Sequence, residues 1–315
     1  MNVKSFPSFK LPRRIEGVPR YWPLIKISEI VALKTNWQKR VVRMLIIALG
    51  LYLIPCLLLT IFQRDLLYHP PLVNPEAYEH SGLQTGMVRW QNGTGQNIGW
   101  KKLASVQPSR GQVMITYGNG GSAVGCYHYV DTLQRTGLDV YVLEYPDYAD
   151  RPGSPSQASF FTAAEEGFSL LPTNRPTYLL GESLGTGVAA YLVGTHPARV
   201  SGVVLLAPYA RLVDVAQAHF PWFPVRLLMI DRFNSAWYLR NYHGPVAILT
   251  GTADRVVPER FGLRLFTGYE GPKKLWEIPG ADHGDVFEHF DEKWPEIKAF
   301  WDLSMPLPAA NGGAR

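Results

Sequence analysis

Short apolar runs alternate with longer segments of helical length over most of the chain. The runs lie at residues 113–117, 140–144, 178–180, 203–207, 246–250 and 275–278. Several are apolar at consecutive positions, which is typical of parallel strands that helices cover on both faces. The segments of helical length include residues 123–135, 160–171 and 187–195. This alternation predicts an α/β fold with a mainly parallel central sheet and helices on both faces.

Two regions interrupt this alternation. Residues 86–103 contain two alternating runs around the turn-rich sequence NGTG, which predicts an antiparallel β-hairpin before the parallel strands. Residues 211–244 are rich in aromatic residues and proline and are longer than a crossover between parallel strands needs. We expect them to form a partly helical, cap-like excursion over one end of the sheet. The tail at residues 304–315 is expected to be disordered.

A long apolar run precedes the predicted sheet. Residues 44–62, MLIIALGLYLIPCLLLTIF, contain nineteen positions without a charged side chain, about the length of helix that crosses the hydrocarbon core of a bilayer. Residues 1–43 carry ten Lys and Arg against two Glu, a net charge of +8. The whole chain has a net charge of +5, so the residues after this arm are net negative. Positive charge beside an apolar span usually stays in the cytoplasm. The sequence predicts a single-pass transmembrane anchor, a cytoplasmic arm, and an exoplasmic or periplasmic remainder.

Other interpretations of this region stay open. A cleaved signal peptide needs a short charged segment before its apolar core, whereas forty-three residues precede this one. An interfacial or re-entrant segment broken at Pro55 is also compatible with the composition. A basic arm can bind nucleic acid, but its continuity with the apolar run favours a membrane, so we expect the membrane as a partner and no nucleic acid. Cys56 and Cys126 predict no disulfide framework.

The sequence Gly181-Glu182-Ser183-Leu184-Gly185 carries the first candidate for chemistry. Alone, G-x-S-x-G is expected by chance in roughly one of eight chains of this composition. Here an apolar strand precedes it and a helical run follows. A nucleophile elbow requires this order, because its tight turn admits only small neighbours and exposes the hydroxyl above the sheet edge. Ser183 is therefore the candidate nucleophile, and it needs a base to remove its proton.

An acid and a base follow later apolar runs. Asp254 stands in the loop after residues 246–250, and His283 stands in the loop after residues 275–278. The order Ser183, Asp254, His283 is that of a Ser-His-Asp triad in which each member follows a strand. Asp214 and Asp231 are alternative acids. Asp282 and Asp285 lie too close to the histidine in sequence to orient its ring easily, so we interpret them as loop-capping or solvated.

A second glycine cluster, TYGNGGSAVGC at residues 116–126, allows two interpretations. Residues 118–123 match a loose dinucleotide-binding fingerprint, and Glu144 lies beyond them at the end of the next strand. That interpretation leaves the predicted triad without a role. In a hydrolase, this loop instead supplies a backbone N–H that joins the N–H of Leu184 in holding the oxyanion of a tetrahedral intermediate. The second interpretation needs neither a cofactor nor a metal, and we favour it.

These motifs resemble those of the α/β-hydrolases and, more narrowly, the membrane-anchored serine hydrolases of the BEM-like, ABHD-type group. The resemblance covers about residues 62–301. It rests on FQRDLLYHP, YGNGGS, EYPDYADRPGSPS, GESLGTG, LLAPYA, DRFNSAWYLRNYHGPVAILTGTADRVVP and GADHGD. It implies a hydrolase domain at residues 63–303 with Ser183 as nucleophile, His283 as base and Asp254 as orienting acid. It also implies that Asn119 and Leu184 donate the oxyanion N–H groups.

The chain departs from the group at two places. Tyr117 stands where the group usually has His, which bears on the residue that supplies the oxyanion donor. Pro146, Asp147 and Ala149 stand where the group has more glycines, which bears on the shape of the acyl pocket.

The combined expectation is a membrane-anchored serine hydrolase that cleaves an ester or thioester without a cofactor. Phe220, Trp222 and Phe223 predict an apolar wall beside the site that favours an acyl chain, although a helix that merely covers the core would have the same composition. An anchor beside such a wall favours a small-molecule or lipid-like acyl substrate. A serine peptidase on the same fold and a non-catalytic membrane-bound interaction protein are the alternatives. The sequence predicts no oligomeric state.

Overall fold

A sheet of eight strands organises the part of the chain that the structure describes. The computed structural model describes residues 36–304, so most of the basic arm and residues 305–315 of the predicted tail lie outside the described residues, while Ser304, the first residue of that predicted tail, ends a helix. The chain divides into two compact units, Met1–Pro55 and Cys56–Arg315, and the sheet belongs to the second. The strands are β1 Val88–Gln91, β2 Asn97–Lys102, β3 Gly111–Thr116, β4 Leu138–Leu143, β5 Thr177–Glu182, β6 Gly202–Leu206, β7 Val246–Gly251 and β8 Lys273–Ile278.

The strand order is β1-β2-β4-β3-β5-β6-β7-β8. The β1–β2 and β2–β4 pairs are antiparallel, and the remaining pairs are parallel. The predicted mainly parallel sheet with an antiparallel hairpin at its start is therefore confirmed. Every residue of β3, β4, β6 and β7 is buried. Burial on both faces explains why these strands are apolar at consecutive positions.

Helices lie between the strands. They are α1 Asn36–Ile61, α2 Gln63–Leu67, α3 Pro75–Gln84, α4 Tyr127–Arg135, α5 Gln157–Ser169, α6 Gly185–Thr195, α7 Leu212–His219, α8 Val225–Leu228, α9 Ser235–Leu239, α10 Arg260–Gly268, α11 Asp285–Glu288 and α12 Phe290–Ser304. The predicted helix at 160–171 begins three residues earlier because the Ser156 hydroxyl accepts the Ser159 N–H at 3.0 Å and caps it. The predicted helix at 123–135 begins with a 3-10 turn, Val124–Cys126, before α4.

Helix α1 contains most of the predicted apolar anchor. It has 26 residues and is long and apolar enough to cross a membrane. The described helix includes the eight residues before the apolar run, where Gln, Lys and Arg are good helix formers, so helical structure extends into the basic arm. It also continues through Pro55 without ending there. The break at this proline that a re-entrant segment would need is absent from the described helix.

The cap-like excursion predicted at residues 211–244 contains α7, α8 and α9, three short helices between β6 and β7. Helix α9 begins where the Asn234 side chain accepts the Trp237 N–H at 3.1 Å. Because β6 and β7 are neighbouring parallel strands, the excursion starts at the carboxyl edge of the sheet, the edge where α/β folds place their ligands.

Candidate active site

The three predicted triad residues follow three parallel strands at the same edge of the sheet. Ser183 comes directly after β5, Asp254 comes three residues after β7, and His283 comes five residues after β8. The carboxyl ends of parallel strands meet at one edge, so the loops that carry these side chains are neighbours. The structure brings the three side chains into one hydrogen-bonded row.

His283 stands at the centre of this row. Its Nε2 lies 2.9 Å from Ser183 Oγ, and its Nδ1 lies 2.7 Å from Asp254 Oδ2. An ionised carboxylate only accepts hydrogen bonds, so Nδ1 carries the proton and Nε2 is left to accept the serine hydroxyl. This is the tautomer that a general base for Ser183 needs.

The backbone at Ser183 adopts a strained conformation. Its φ is +48°, a left-handed value that is uncommon for residues other than glycine. The Ser183 N–H donates to the carbonyl of Leu206 at 2.9 Å, which ties the turn to strand β6. Close packing requires both flanking glycines, since a Cβ on Gly185 would collide with the carbonyl of Thr116 and a Cβ on Gly181 would lie 2.8 Å from the Cα of Thr186. The turn has the geometry of a nucleophile elbow.

Asp254 is held by its own loop. Its Oδ1 accepts the N–H groups of Val256 and Val257, both at 2.8 Å, while its Oδ2 faces His283. The Asp254 side chain is 1% exposed, so these bonds replace the water that a carboxylate would otherwise need. The Phe287 ring packs against the imidazole in a T-shaped arrangement, with ring centroids 5.0 Å apart.

The two alternative acids have other partners. Asp214 pairs with Arg211 at 2.7 Å and also with Arg226 and Arg264. Asp231 accepts from Arg64 at 3.0 Å and from the hydroxyl of Tyr68 at 3.1 Å. Each carboxylate is occupied by these contacts, and the structure therefore favours Asp254 as the acid beside the histidine.

The glycine loop after β3 packs against the elbow. A Cβ on Gly118 would lie 3.3 Å from the Cβ of Ser183, so the loop contacts the candidate nucleophile closely. The Gly118 N–H donates to Glu182 Oε1 at 3.2 Å, and Glu182 Oε2 accepts the hydroxyl of Tyr129 at 2.9 Å. Burial raises the pKa of Glu182, while these hydrogen bonds and nearby His283 lower it. Glu182, the glutamate inside G-x-S-x-G, thus holds Gly118, the first glycine of the loop, in place through this hydrogen bond.

The two predicted oxyanion donors differ in their surroundings. The Asn119 side chain is bound by the chain that follows the apolar helix: its Oδ1 accepts the His69 N–H at 3.1 Å, and its Nδ2 donates to His69 Nδ1 at 2.8 Å. Oδ1 also accepts the hydroxyl of Tyr148 at 3.2 Å. Leu184 is buried at the start of α6, and its carbonyl accepts the hydroxyl of Tyr209 at 3.0 Å. The Asn119 side chain is therefore occupied by these contacts, and its backbone N–H remains the predicted donor.

Glu144, which the dinucleotide hypothesis would use, is enclosed in the core. Its carboxylate accepts the hydroxyls of Tyr78 and Tyr117 and the N–H of Ala123. Burial raises the pKa of Glu144 to about 7, although the tyrosine hydrogen bonds oppose that rise. A carboxylate with these partners is not positioned to bind a ribose. Tyr117, which departs from the group's histidine, has its hydroxyl in this cluster.

The second departure from the group, at residues 146–149, lies in a turn with positive φ values. Asp147 and Ala149, which stand where the group has more glycines, have φ values of +71° and +50°. Glycine adopts such values without steric cost, whereas Ala does not. Tyr148 lies between them and sends its hydroxyl to Asn119. The strained turn therefore positions Tyr148, which contacts the glycine loop.

Sequence reasoning missed the residues that support this loop. His69, Glu182 and Tyr148 act on it from distant positions in the chain, and each lies inside a segment, FQRDLLYHP, GESLGTG or EYPDYADRPGSPS, that carries the resemblance. Membership in those segments was a signal, but it assigned no partner to any of the three.

Two of the three predicted pocket residues line the same groove, and the third does not. Phe220 and Phe223 line an apolar groove, whereas Trp222 is 84% exposed and is not among the groove's lining residues. The excursion contributes one wall of the groove, and the end of α1 together with α2 contributes the other. The remaining lining residues are Leu59, Gln63, Leu66, Leu67, Ala216, Val225, Leu228 and Met229.

Comparisons with known proteins agree with this fold. A family model described as the alpha/beta hydrolase fold matches residues 112–229. An uncharacterized protein of Mycobacterium tuberculosis is 32% identical over 232 residues, covering 71% of this chain and 81% of that protein. Lysophosphatidylserine lipase ABHD12 of Danio rerio is 27% identical over 201 residues, covering 56% of this chain and 52% of the lipase.

Solved structures show the same fold at low sequence identity. An esterase of Pyrococcus furiosus, Pf2001, matches with a TM-score of 0.55 at 16% identity, covering 76% of this chain and 98% of the esterase. A monoacylglycerol lipase of Paleococcus ferrophilus matches with a TM-score of 0.51 at 20% identity, covering 65% of this chain and 98% of the lipase. The sheet order, the family model and the long alignment with the mycobacterial relative lead to one conclusion: the chain belongs to the α/β-hydrolase superfamily.

Proposed function

We propose that this protein is a membrane-anchored serine hydrolase that cleaves a carboxylic ester or thioester through Ser183, His283 and Asp254. The observation that carries the proposal is the hydrogen-bonded row in which His283 lies 2.9 Å from Ser183 Oγ and 2.7 Å from Asp254 Oδ2. Both distances are within the range that proton transfer and ring orientation require. The left-handed backbone at Ser183 supports the same assignment.

The proposed reaction has two halves. His283 Nε2 takes the hydroxyl proton as Ser183 Oγ attacks the carbonyl carbon, and the protonated imidazole then returns that proton to the departing alcohol or thiol. Asp254 holds the ring and stabilises the imidazolium. Water attacks the acyl-enzyme in the second half with the same base. The backbone N–H groups of Asn119 and Leu184 are the proposed donors to the oxyanion.

A lipid-like acyl substrate is the class that we propose. The groove beside α1 and the excursion is lined almost entirely by apolar side chains, Phe220 and Phe223 among them, and such walls suit a hydrocarbon chain. The named relative ABHD12 is a lysophosphatidylserine lipase, and that activity supports an ester of a lipid here. Helix α1 would keep the domain at the surface where such substrates lie.

Fluorophosphonate labelling tests the nucleophile. The full chain in detergent should label, and Ser183→Ala should not. Ser201→Ala is a matched control, because this half-buried serine lies in the turn before β6 and should leave labelling unchanged. Equal labelling of wild type and Ser183→Ala would remove the serine mechanism, and absence of labelling in the wild type would favour the non-catalytic interaction protein.

Substrate panels separate the esterase from the peptidase. We expect hydrolysis of p-nitrophenyl esters, with kcat/KM rising with acyl length while the groove fills, and slow or undetectable cleavage of aminoacyl amides. A preference for the amides would support the serine peptidase instead.

Membrane topology is a separate part of the proposal. The basic arm favours a cytoplasmic N-terminus and an exoplasmic or periplasmic hydrolase domain. In sealed vesicles of known orientation, protease should reach the hydrolase domain only from the exoplasmic or periplasmic face. Release of the protein by alkaline carbonate would argue against the transmembrane anchor.

A further inference from the structure

A group of exposed apolar side chains lies where the chain leaves the apolar helix. Most come from the excursion, where Trp222 is 84%, Leu227 is 80% and Ile230 is 62% exposed. Phe220 of the excursion and Leu66 of α2 are also exposed. We call these five residues the apolar patch. Large apolar side chains are seldom exposed together on a soluble surface unless that surface binds something.

Hydrogen bonds fix the position of this patch relative to the end of α1. Gln63, two residues after α1 ends, donates through Nε2 to the Leu228 carbonyl at 3.3 Å and accepts the Ile230 N–H through Oε1 at 2.7 Å. Arg64 continues the attachment through its 3.0 Å ion pair with Asp231. The excursion is thereby joined to the first residues that follow the apolar helix.

The groove described above opens within the same group of residues. Leu66 and Phe220 belong to both the patch and the groove lining, and Leu59 of α1 contributes to the groove wall. A bilayer that surrounds α1 would therefore end close to the groove. Arginine side chains lie beside the patch as well: Arg226 is mostly exposed, and Arg232 donates to the carbonyls of Met229 and Arg226. Apolar residues with arginines around them are typical of surfaces that lie in the membrane interface.

We propose that the apolar patch lies in the interfacial layer of the bilayer and admits the hydrocarbon chain of a membrane lipid to the groove. This proposal rests on the anchoring part of the proposed function and adds a second contact with the same membrane. A bilayer fits better than a protein partner because the patch is held at the end of a helix that is itself apolar enough to span one.

Depth-dependent fluorescence quenching tests the contact without reference to activity. Both native cysteines, Cys56 and Cys126, are buried, so an environment-sensitive label on Leu227→Cys can be read against the unmodified chain. The full chain is reconstituted in phosphatidylcholine nanodiscs that contain doxyl groups either near the headgroup or deep in the acyl chain. Val106→Cys is the control: Val106 is also an exposed apolar residue, at 57%, but it precedes β3 at the opposite edge of the sheet.

We expect the label at Leu227 to be quenched at least threefold more than the label at Val106, and more by the shallow doxyl group than by the deep one. Equal quenching at the two positions would overturn the proposal and leave the patch to a protein partner or a second copy of the chain. Quenching at Leu227 that is stronger from the deep doxyl group would also overturn it, because an interfacial surface does not reach that depth.

A second comparison tests the entry of lipid. The double variant Leu227→Ser/Ile230→Ser should hydrolyse a long-chain ester embedded in the bilayer about tenfold more slowly, whereas Val106→Ser should not change that rate. Neither substituted residue lines the groove, so both variants should cleave a soluble short-chain ester as the wild type does. Equal loss on both substrates would contradict lipid entry through the patch. If no form of the protein cleaves either ester, the proposed hydrolase function fails, while the quenching result still decides the membrane contact.

Discussion

Two sides of the candidate site around Ser183 are built by different means. On one side, His283 and Asp254 stand in short loops after β8 and β7, and the loop of Asp254 supplies its own N–H donors at 2.8 Å. On the other side, the glycine loop at residues 118–121 is held by side chains from far along the chain. His69, Tyr148 and Glu182 all donate to it or accept from it.

The triad side carries the residues proposed to react, whereas the loop side carries contacts that hold the loop in place. The triad side depends on strand order, which parallel pairing fixes once the sheet has formed. The loop side depends on polar contacts between distant residues, and beside it the buried Glu144, with its raised pKa, accepts the hydroxyls of two tyrosines. We therefore expect substitutions on the triad side to abolish catalysis while the fold persists, and substitutions on the loop side to change stability or the rate by smaller factors.

The largest effect is expected on the triad side. Asp254→Asn should lower kcat by about 10³–10⁴-fold, because an amide no longer favours the tautomer with the proton on Nδ1 of His283. The thermal midpoint should change little, since the amide oxygen can still accept the N–H groups of Val256 and Val257. Steady-state kinetics with a p-nitrophenyl ester measures the loss.

Asp282→Asn is the matched control for this prediction. Asp282 precedes His283 in sequence, but its Oδ1 accepts the N–H groups of Gly284 and Asp285, which an amide oxygen can also do. Its kcat should stay within about twofold of the wild type. A comparable fall in the two variants would show that Asp254 has no special relation to the base.

The triad side could be predicted from the sequence, whereas the contacts of the loop side could not. The sheet was predictable because buried strands are apolar and short, and Ser183, Asp254 and His283 could be placed at one edge because each follows such a strand. The contact between His69 and Asn119 was not predictable, since fifty residues separate them and no periodic pattern links them. The helical structure of residues 36–43 was missed because hydropathy detects the apolar part of a helix and not its polar extension.

The next effect is expected in stability against pH. Folding raises the pKa of Glu144 from 4.5 to about 7, so between these pH values the folded chain holds a proton that the unfolded chain has lost. The free energy of unfolding should therefore fall as pH rises through this window. The stabilisation is present in full below pH 4.5 and lost by about pH 7, and a shift of this size corresponds to about 3 kcal/mol.

Glu144→Gln removes that titration while keeping a neutral hydrogen-bonding group of similar shape. Thermal unfolding in detergent at pH 5.0 and pH 7.5 should show a smaller difference between the two conditions in the variant than in the wild type. Glu182, whose pKa is also raised by burial, titrates in both proteins and cancels in the comparison. The same pH dependence in both proteins would mean that the core cluster does not titrate in this range.

A smaller effect is expected from His69, the residue that joins the exit of the apolar helix to the glycine loop. His69→Ala removes the acceptor of the Asn119 Nδ2 hydrogen bond, and the loss of one such bond is about 1 kcal/mol. We expect kcat to fall by about fivefold to tenfold, with a smaller change in KM, because the Asn119 N–H would be less well placed for the transition state.

Rescue distinguishes positioning from general damage. His69→Asn should recover most of the lost kcat, since an amide oxygen can accept from Asn119 at about the place of Nδ1. His80→Ala, an exposed histidine in α3, should leave kcat unchanged. If His69→Asn is as slow as His69→Ala, or if only KM changes, then His69 does not position the glycine loop.

The smallest effect is expected at the strained turn that supports the same loop. Ala149 has a φ of +50°, which costs a residue with a Cβ about 1 kcal/mol, whereas glycine pays instead through the entropy of the unfolded chain, about 0.5–1 kcal/mol. Ala149→Gly should therefore raise stability by less than about 1 kcal/mol, visible as an increase of about 1–2 °C in the thermal midpoint. Ala77→Gly in helix α3 should have the opposite sign, because no positive φ is relieved there. A fall in both variants would mean that the loop side stores no strain at Ala149.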